Sequence, residues 1–183
     1  MSADRLPYRA TATARSNLGV ESLPVSILLD QVRSLYNVGA FFRLADAAGL
    51  ARLYLCGITG HPPKKALTKT ALGAEQIVAW EHHWHTVPLL DRLREQGLEL
   101  AAVETSAQAV DLFEWQPRFP ICLIFGHEVE GVRPEVSARC DTHVRIPMLG
   151  VKHSLNVAVA GGVAVYELLR KYRSLVRASQ AVR

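Results

Sequence analysis

Three stretches of this chain set glycines and polar side chains directly after apolar runs, where α/β proteins keep their chemistry. The first is Asn37-Val38-Gly39-Ala40-Phe41-Phe42-Arg43. The second is Phe125-Gly126-His127-Glu128-Val129-Glu130-Gly131. The third is Ile146-Pro147-Met148-Leu149-Gly150, running into Ser154-Leu155-Asn156. Asn37 reads as a helix N-cap, because its side-chain oxygen can accept from free backbone N–H groups. Arg43 follows nearly two turns later and reads as pointing into the same cleft, where a guanidinium could grip a phosphate or a ribose hydroxyl. The alternative is a plain cap followed by a surface cation. In the second stretch, Gly126 would let a ligand approach the backbone and Gly131 would let the loop turn, with Glu128 between them. The alternative is a glycine-bounded turn with exposed carboxylates. In the third, Ser154 and Asn156 offer donors and acceptors at a helix start, suited to an amino-acid carboxylate or a phosphate, or to ordinary capping.

These stretches need a frame. Val25 to Leu29, Leu53 to Cys56, Gln76 to His85, Leu98 to Val103, Ile121 to Phe125 and Val144 to Ile146 read as six strands. Helices read over Val38 to Leu50, Ala66 to Leu72, from Pro88 to Gly97, and from about Ser154 past Tyr172. Apolar strands alternating with helices predict a mostly parallel sheet covered on both faces. Residues 1–22, with Arg5, Arg9 and Arg15 among small polar residues, read as a basic arm, and residues 23–183 as one domain. The last helix carries Ala158, Ala160, Gly161, Gly162 and Ala164. Two interior glycines are costly in a helix, so they predict close approach, to the sheet or to a second subunit.

A chain of 183 residues, 49% hydrophobic and 21% charged, suits one globular domain. No apolar run is long enough to span a bilayer and no signal-peptide core opens the chain, which predicts a cytoplasmic protein. The formal charge is only +4. Its distribution says more. Lys64, Lys65 and Lys69 cluster, and Arg170, Lys171, Arg173, Arg177 and Arg183 follow one another without an acid, as a phosphate-rich partner or a solvated helix end would require. Cys56 and Cys122 read as small buried hydrophobes, and Cys140 has no metal-ligand spacing. His82, His83 and His85 tempt a metal reading, with His83 and His85 on one strand face, but no third ligand is evident and no metal is expected. Trp80, Trp84 and Trp115 could stack bases, though core or dimer packing is the commoner use. No G-x-G-x-x-G follows the first strand, Gly126 to Gly131 lacks the Lys-Ser/Thr of a P-loop, and no G-x-S-x-G occurs.

Taken together, the three stretches resemble the motifs of the SpoU/TrmH-type RNA ribose methyltransferases of the SPOUT superfamily, from about Val25 to Tyr172. Asn37 and Arg43 match the first motif, Gly126 and Glu128 the second, and Ser154-Leu155-Asn156 the third. Lys69 to Glu75 resembles the family's lead-in to its third strand. Ala158 and His127 depart from the residues many relatives carry, a serine and an asparagine. The resemblance implies a C-terminal trefoil knot, a homodimer whose sites draw on both subunits, and S-adenosylmethionine as cofactor. It implies cofactor contacts at Val103, Glu104, Thr105, Gly126, Ile146, Met148, Leu155 and Asn156, and catalytic roles for Asn37, Arg43, Glu128, Ser154 and Asn156. The activity implied is methylation of a ribose 2′-hydroxyl of RNA, in tRNA more than in rRNA. The alternatives are a knotted RNA-binding protein without catalysis and a small-molecule methyltransferase.

Overall fold

The computed structural model of the chain describes residues 22–181; the arm read over residues 1–22 lies almost wholly outside them. Seven strands form one sheet: β1 (Leu23–Asp30), β2 (Leu50–Cys56), β3 (Trp80–His83), β4 (Glu99–Val103), β5 (Val110–Asp111), β6 (Ile121–Phe125) and β7 (Thr142–Arg145). Their order is β3-β2-β1-β6-β4-β7-β5, and every pairing is parallel. The helices are α1 (Leu35–Ala48), α2 (Lys65–Ala71), α3 (Thr86–Glu95), α4 (Pro134–Ser137) and α5 (Val157–Ala181). This is the expected parallel α/β architecture.

The central strands β1 and β6 are buried on both faces, which is why they read as unbroken apolar runs. Alternate residues feed two cores. Ile27, Leu29, Leu123 and Phe125 pack with α1, α2 and α5, whereas Leu28, Cys122 and Ile124 pack with α3 and α4. Helix α1 is held tightly by α5: a Cβ at Gly161 would sit 2.4 Å from the Phe41 ring. Gly161 therefore serves packing within the chain, while Gly162 faces open space.

Several boundaries differ from the sequence reading, each for a local reason. Ser34, not Asn37, caps α1: its Oγ accepts from the Asn37 N–H at 3.3 Å, which places Asn37 in the first turn. Helix α3 begins at Thr86, so Pro88 lies in the first turn, where a missing N–H costs nothing. Strand β3 stops at His83 and His85 caps α3, so His83 and His85 do not share a strand face. Helix α5 begins at Val157, three residues after Ser154. The short elements β5 and α4 were not expected. Part of the basic C-terminal run is already engaged: Arg170 pairs with Glu167 at 2.7 Å, and Lys171 donates to the carbonyls of Leu112, Phe113 and Trp115.

Candidate active site

All strands point the same way, so the loops leaving β1, β6, β4 and β7 share one edge of the sheet. On that edge the three sequence stretches meet. Asn37 Nδ2 donates to Glu128 Oε1 at 3.0 Å, and Asn156 Nδ2 donates to Asn37 Oδ1 at 3.1 Å. Asn156 Oδ1 in turn accepts from the N–H groups of Ala158 and Val159, at 2.9 and 3.3 Å, and so caps α5. At the other end Glu128 accepts from the N–H groups of Arg33 and Ser34 at 3.1 and 3.0 Å. The chain of bonds has a fixed direction. An ionised carboxylate only accepts and helix N–H groups only donate, so both amides must orient as they do.

Helix α1 has no acidic residue in its own first turn. Glu128 supplies that charge from a loop more than ninety positions along the chain, beside the positive end of the helix dipole. Partial burial pushes the Glu128 carboxyl up. The N–H groups of Ser34 and Arg33, its own backbone N–H and the Asn37 amide outweigh that and hold it below the ordinary value of 4.5. Glu128 is thus an anchoring anion and a weak proton acceptor. Because its folded value is the lower one, its stabilisation is complete above the ordinary value and is lost as pH falls through the depressed one. Glu128→Gln should therefore be less stable than the parent at neutral pH, with the gap closing in acid. Urea unfolding at the two pH values measures it, and a constant gap would refute the anchoring role.

The loop that carries Glu128 is closed on itself. His127 and Gly131 exchange backbone hydrogen bonds at 3.0 and 2.9 Å, and His127 Nδ1 accepts from the N–H groups of Val129 and Glu130. A side-chain acceptor at this position holds the loop's turn, a role that His127 Nδ1 fills. Gly131 turns with φ +74. A Cβ on Gly126 would lie 2.1 Å from the Gly131 carbonyl oxygen. The space that Gly126 leaves on its Cβ side is thus filled by its own loop. Behind the loop, the fully buried Asp30 receives Arg133 Nε and Nη2 at 2.8 and 2.9 Å and the Thr86 hydroxyl at 2.5 Å. This pair locks the far end of the Glu128 loop to β1. Sequence reading missed all three residues, although an aspartate ending an apolar strand was visible.

The remaining predicted residues fall around this core. Val103 ends β4, and the Glu104 N–H bonds the Val144 carbonyl at 3.0 Å. Glu104, Ile146 and Met148 are half-buried, and Thr105 and Ser154 are exposed. Leu149, Val151 and Leu155 leave apolar surface uncovered on the loop between β7 and α5. Arg43 is exposed and takes no part in the bond chain. Six residues along a helix turn it roughly 120° from Asn37, so the two do not share a face. Burial pushes the thiols of Cys56 and Cys140 up to about 12, which makes neither a nucleophile. Among the described residues no three His, Cys, Asp or Glu side chains group as a metal site, and no helix is long and apolar enough to cross a membrane.

A parallel α/β sheet with a Glu–Asn–Asn bridge between two helix starts at its carboxyl edge has the layout of a ligand-binding α/β fold. The sequence profile described as the SpoU rRNA Methylase family matches residues 24–166, and the chain belongs to that family. It is 35% identical over 160 residues to the 23S rRNA (guanosine-2'-O-)-methyltransferase RlmB of Ralstonia nicotianae, a match covering 87% of this chain and 64% of that protein. The chain thus spans less than two thirds of that curated relative. An AdoMet-bound rRNA methyltransferase from Sinorhizobium meliloti has a similar structure, with TM-score 0.76 and 28% identity over 80% of this chain and 56% of that one. A further structure, concerned with the 2-OH methylation of C/U34 on tRNA, matches with TM-score 0.73 and 32% identity over 82% of this chain and 97% of that one.

Proposed function

We propose that this chain transfers a methyl group from S-adenosylmethionine to a ribose 2′-hydroxyl of RNA, in tRNA rather than rRNA, as a cytoplasmic homodimer. The observation that carries the reading is the Glu128–Asn37–Asn156 bridge, which joins all three motif stretches at one edge. The AdoMet-bound relative supports the cofactor. The tRNA-directed structure, matched over nearly its whole length, supports the acceptor.

The residues present fit that cofactor. The loops after β4, β6 and β7, three adjacent strands, bring Val103, Glu104, Thr105, Gly126, Ile146, Met148 and Leu155 to one edge. Backbone groups there would hold the polar parts of the molecule, and the uncovered Leu155 would meet its apolar parts. When bound, the sulfonium supplies an electrophilic methyl group. The protein's part is alignment, which alone can supply up to about 7 to 11 kcal/mol. Asn37 and Asn156 fix the two helix starts. Ser154, exposed beside them, contacts the acceptor. Arg43 steadies the developing alkoxide or the neighbouring phosphate. The path from Ile146 to Asn156 leads from the end of β7 to the Asn37 contact on α1, and the proposed C-terminal knot would include it.

Helix α5 presents Val159, Gly162 and Tyr166 at helical spacing, uncovered by the rest of the chain. A second copy covers this stripe, and Gly162 is the point of closest approach. Gly162→Leu should weaken self-association about tenfold or more by overpacking. Sedimentation equilibrium reads it, and an unchanged dimer would clear the stripe of that role.

The deciding experiment incubates the protein with methyl-labelled S-adenosylmethionine and, separately, total tRNA and ribosomal RNA. Labelled ribose, mapped by mass spectrometry, is expected from tRNA. Label on a base, or none on RNA, would overturn the reading.

A further inference from the structure

We infer that Trp84, His82 and His61 form a stacking platform for an unpaired nucleobase of RNA, with Lys64 and Arg92 placed for its phosphates. The inference rests on the RNA reading above and adds where the single-stranded part of the acceptor lies. Alternation along β3 puts Trp80 and His82 on one side, and Trp84 follows directly after the strand's end. His61 stacks on Trp80 with ring centroids 5.9 Å apart and an interplanar angle of 24°, and it lies 4.5 Å from His82. Trp84 meets His82 edge-on at 4.8 Å. The inner end of this ladder is anchored by Trp80 against Phe42 of α1. Its outer end is not covered: Trp84 is 72% exposed.

The rings are held in place. His82 Nε2 donates to the Gly57 carbonyl at 3.1 Å and His61 Nδ1 to the Pro62 carbonyl at 2.8 Å, with tautomers assigned from those partners. A rigid indole face open to solvent is what base stacking uses, because every base offers a π-face. Cations flank it. Lys64, Lys65 and Lys69 are exposed on and just before α2. On the other side Trp84, Pro88 and Arg92 border a concavity of about 410 Å³. Arg52 and Arg92 share the single carboxylate of Glu81, which leaves that corner net positive. The ladder is also tied to the proposed active site. Gly60, beside His61, lies against both Lys64 and Leu35, and Leu35 begins α1 two residues before Asn37. An acceptor strand stacked at Trp84 is therefore led across positive charge toward Asn37. Paired bases are already stacked, so the platform selects unpaired ones.

The test measures binding of the full chain to an oligouridylate of roughly ten nucleotides and to an RNA duplex of equal length. Trp84→Ala is expected to weaken oligouridylate binding about 5- to 100-fold. Trp84→Phe should restore most of it, and duplex binding should hardly change. Lys64→Ala should lower the salt slope by about one without touching stacking. S-adenosylmethionine binding, followed by calorimetry, should be the same in all three. If Trp84→Ala binds oligouridylate like the parent while the parent still methylates RNA, the platform is wrong and the enzymatic reading stands. A parent that binds no RNA sinks both. Loss of self-association in Trp84→Ala, seen by sedimentation, would make Trp84 a protein contact and overturn the inference.

Discussion

Replacing Arg43 with alanine is expected to lower methyl transfer about 100- to 1000-fold, with cofactor binding and stability unchanged. The stability half follows from where the side chain sits. Helix α1 buries Val38, Phe41, Phe42, Ala45 and Ala48 and turns Arg43 outward, so truncation opens no cavity. The rate half follows from charge. A guanidinium stays protonated in proteins and cannot take the hydroxyl proton. It can lower the energy of negative charge on the attacking oxygen, a stabilisation worth most in the transition state and little in cofactor binding. Arg43 also points away from Asn37 of its own helix, so the proposed dimer would have it act at the partner's site. Arg43→Lys keeps the charge and loses the fork, and should fall between the two. Single-turnover transfer of labelled methyl groups to tRNA reads the effect. Parent-level transfer by Arg43→Ala would remove Arg43 from the chemistry. A binding protein without catalysis would instead show no transfer in the parent.

What could be read from the sequence was set by range. Strands β1 and β6 stood out because burial on both faces demands unbroken apolar runs, and Gly49 and Gly97 marked helix ends. Asn37 was visible as a functional asparagine but was given the wrong partner. A cap is a local bond, and Ser34, three residues earlier, already makes it. The bonds that Asn37 does make run to Glu128 and Asn156, 91 and 119 residues away. No local pattern encodes such distances. The Asp30–Arg133 pair, 103 residues apart, was missed for the same reason. The basic tail erred the other way. Glu167 stands three and four residues before Arg170 and Lys171, the spacing at which helix charges pair, so that part of the cluster was legible as structure. The resemblance supplied what spacing could not, namely that three distant stretches belong to one place.

Gly126→Ala should cost stability and activity together. The added Cβ would run into the Gly131–Val132 peptide group: the Gly131 carbonyl oxygen at 2.1 Å, its carbon at 2.2 Å and the Val132 nitrogen at 2.4 Å. Backbone cannot swing aside as a long side chain can, so the loop must move, at a cost of about 1 to 3 kcal/mol typical of overpacking. The motion has a direction. Arg133 is clamped to buried Asp30, so the far end of the loop is fixed and the displacement falls on the segment carrying Glu128. Glu128 then loses its hold on the N–H groups of Arg33 and Ser34, and Asn37 loses its acceptor. Hydrogen exchange at those two amides should accelerate in Gly126→Ala, while exchange in the β1 core keeps pace with the global loss alone. Gly150→Ala is the control, because a Cβ there meets nothing within 4 Å. Methyl transfer should fall in the first variant and stay near the parent in the second. If Gly126→Ala leaves the Arg33 and Ser34 amides as protected as before, the Glu128 loop does not depend on that contact and the bridge to Asn37 has some other support.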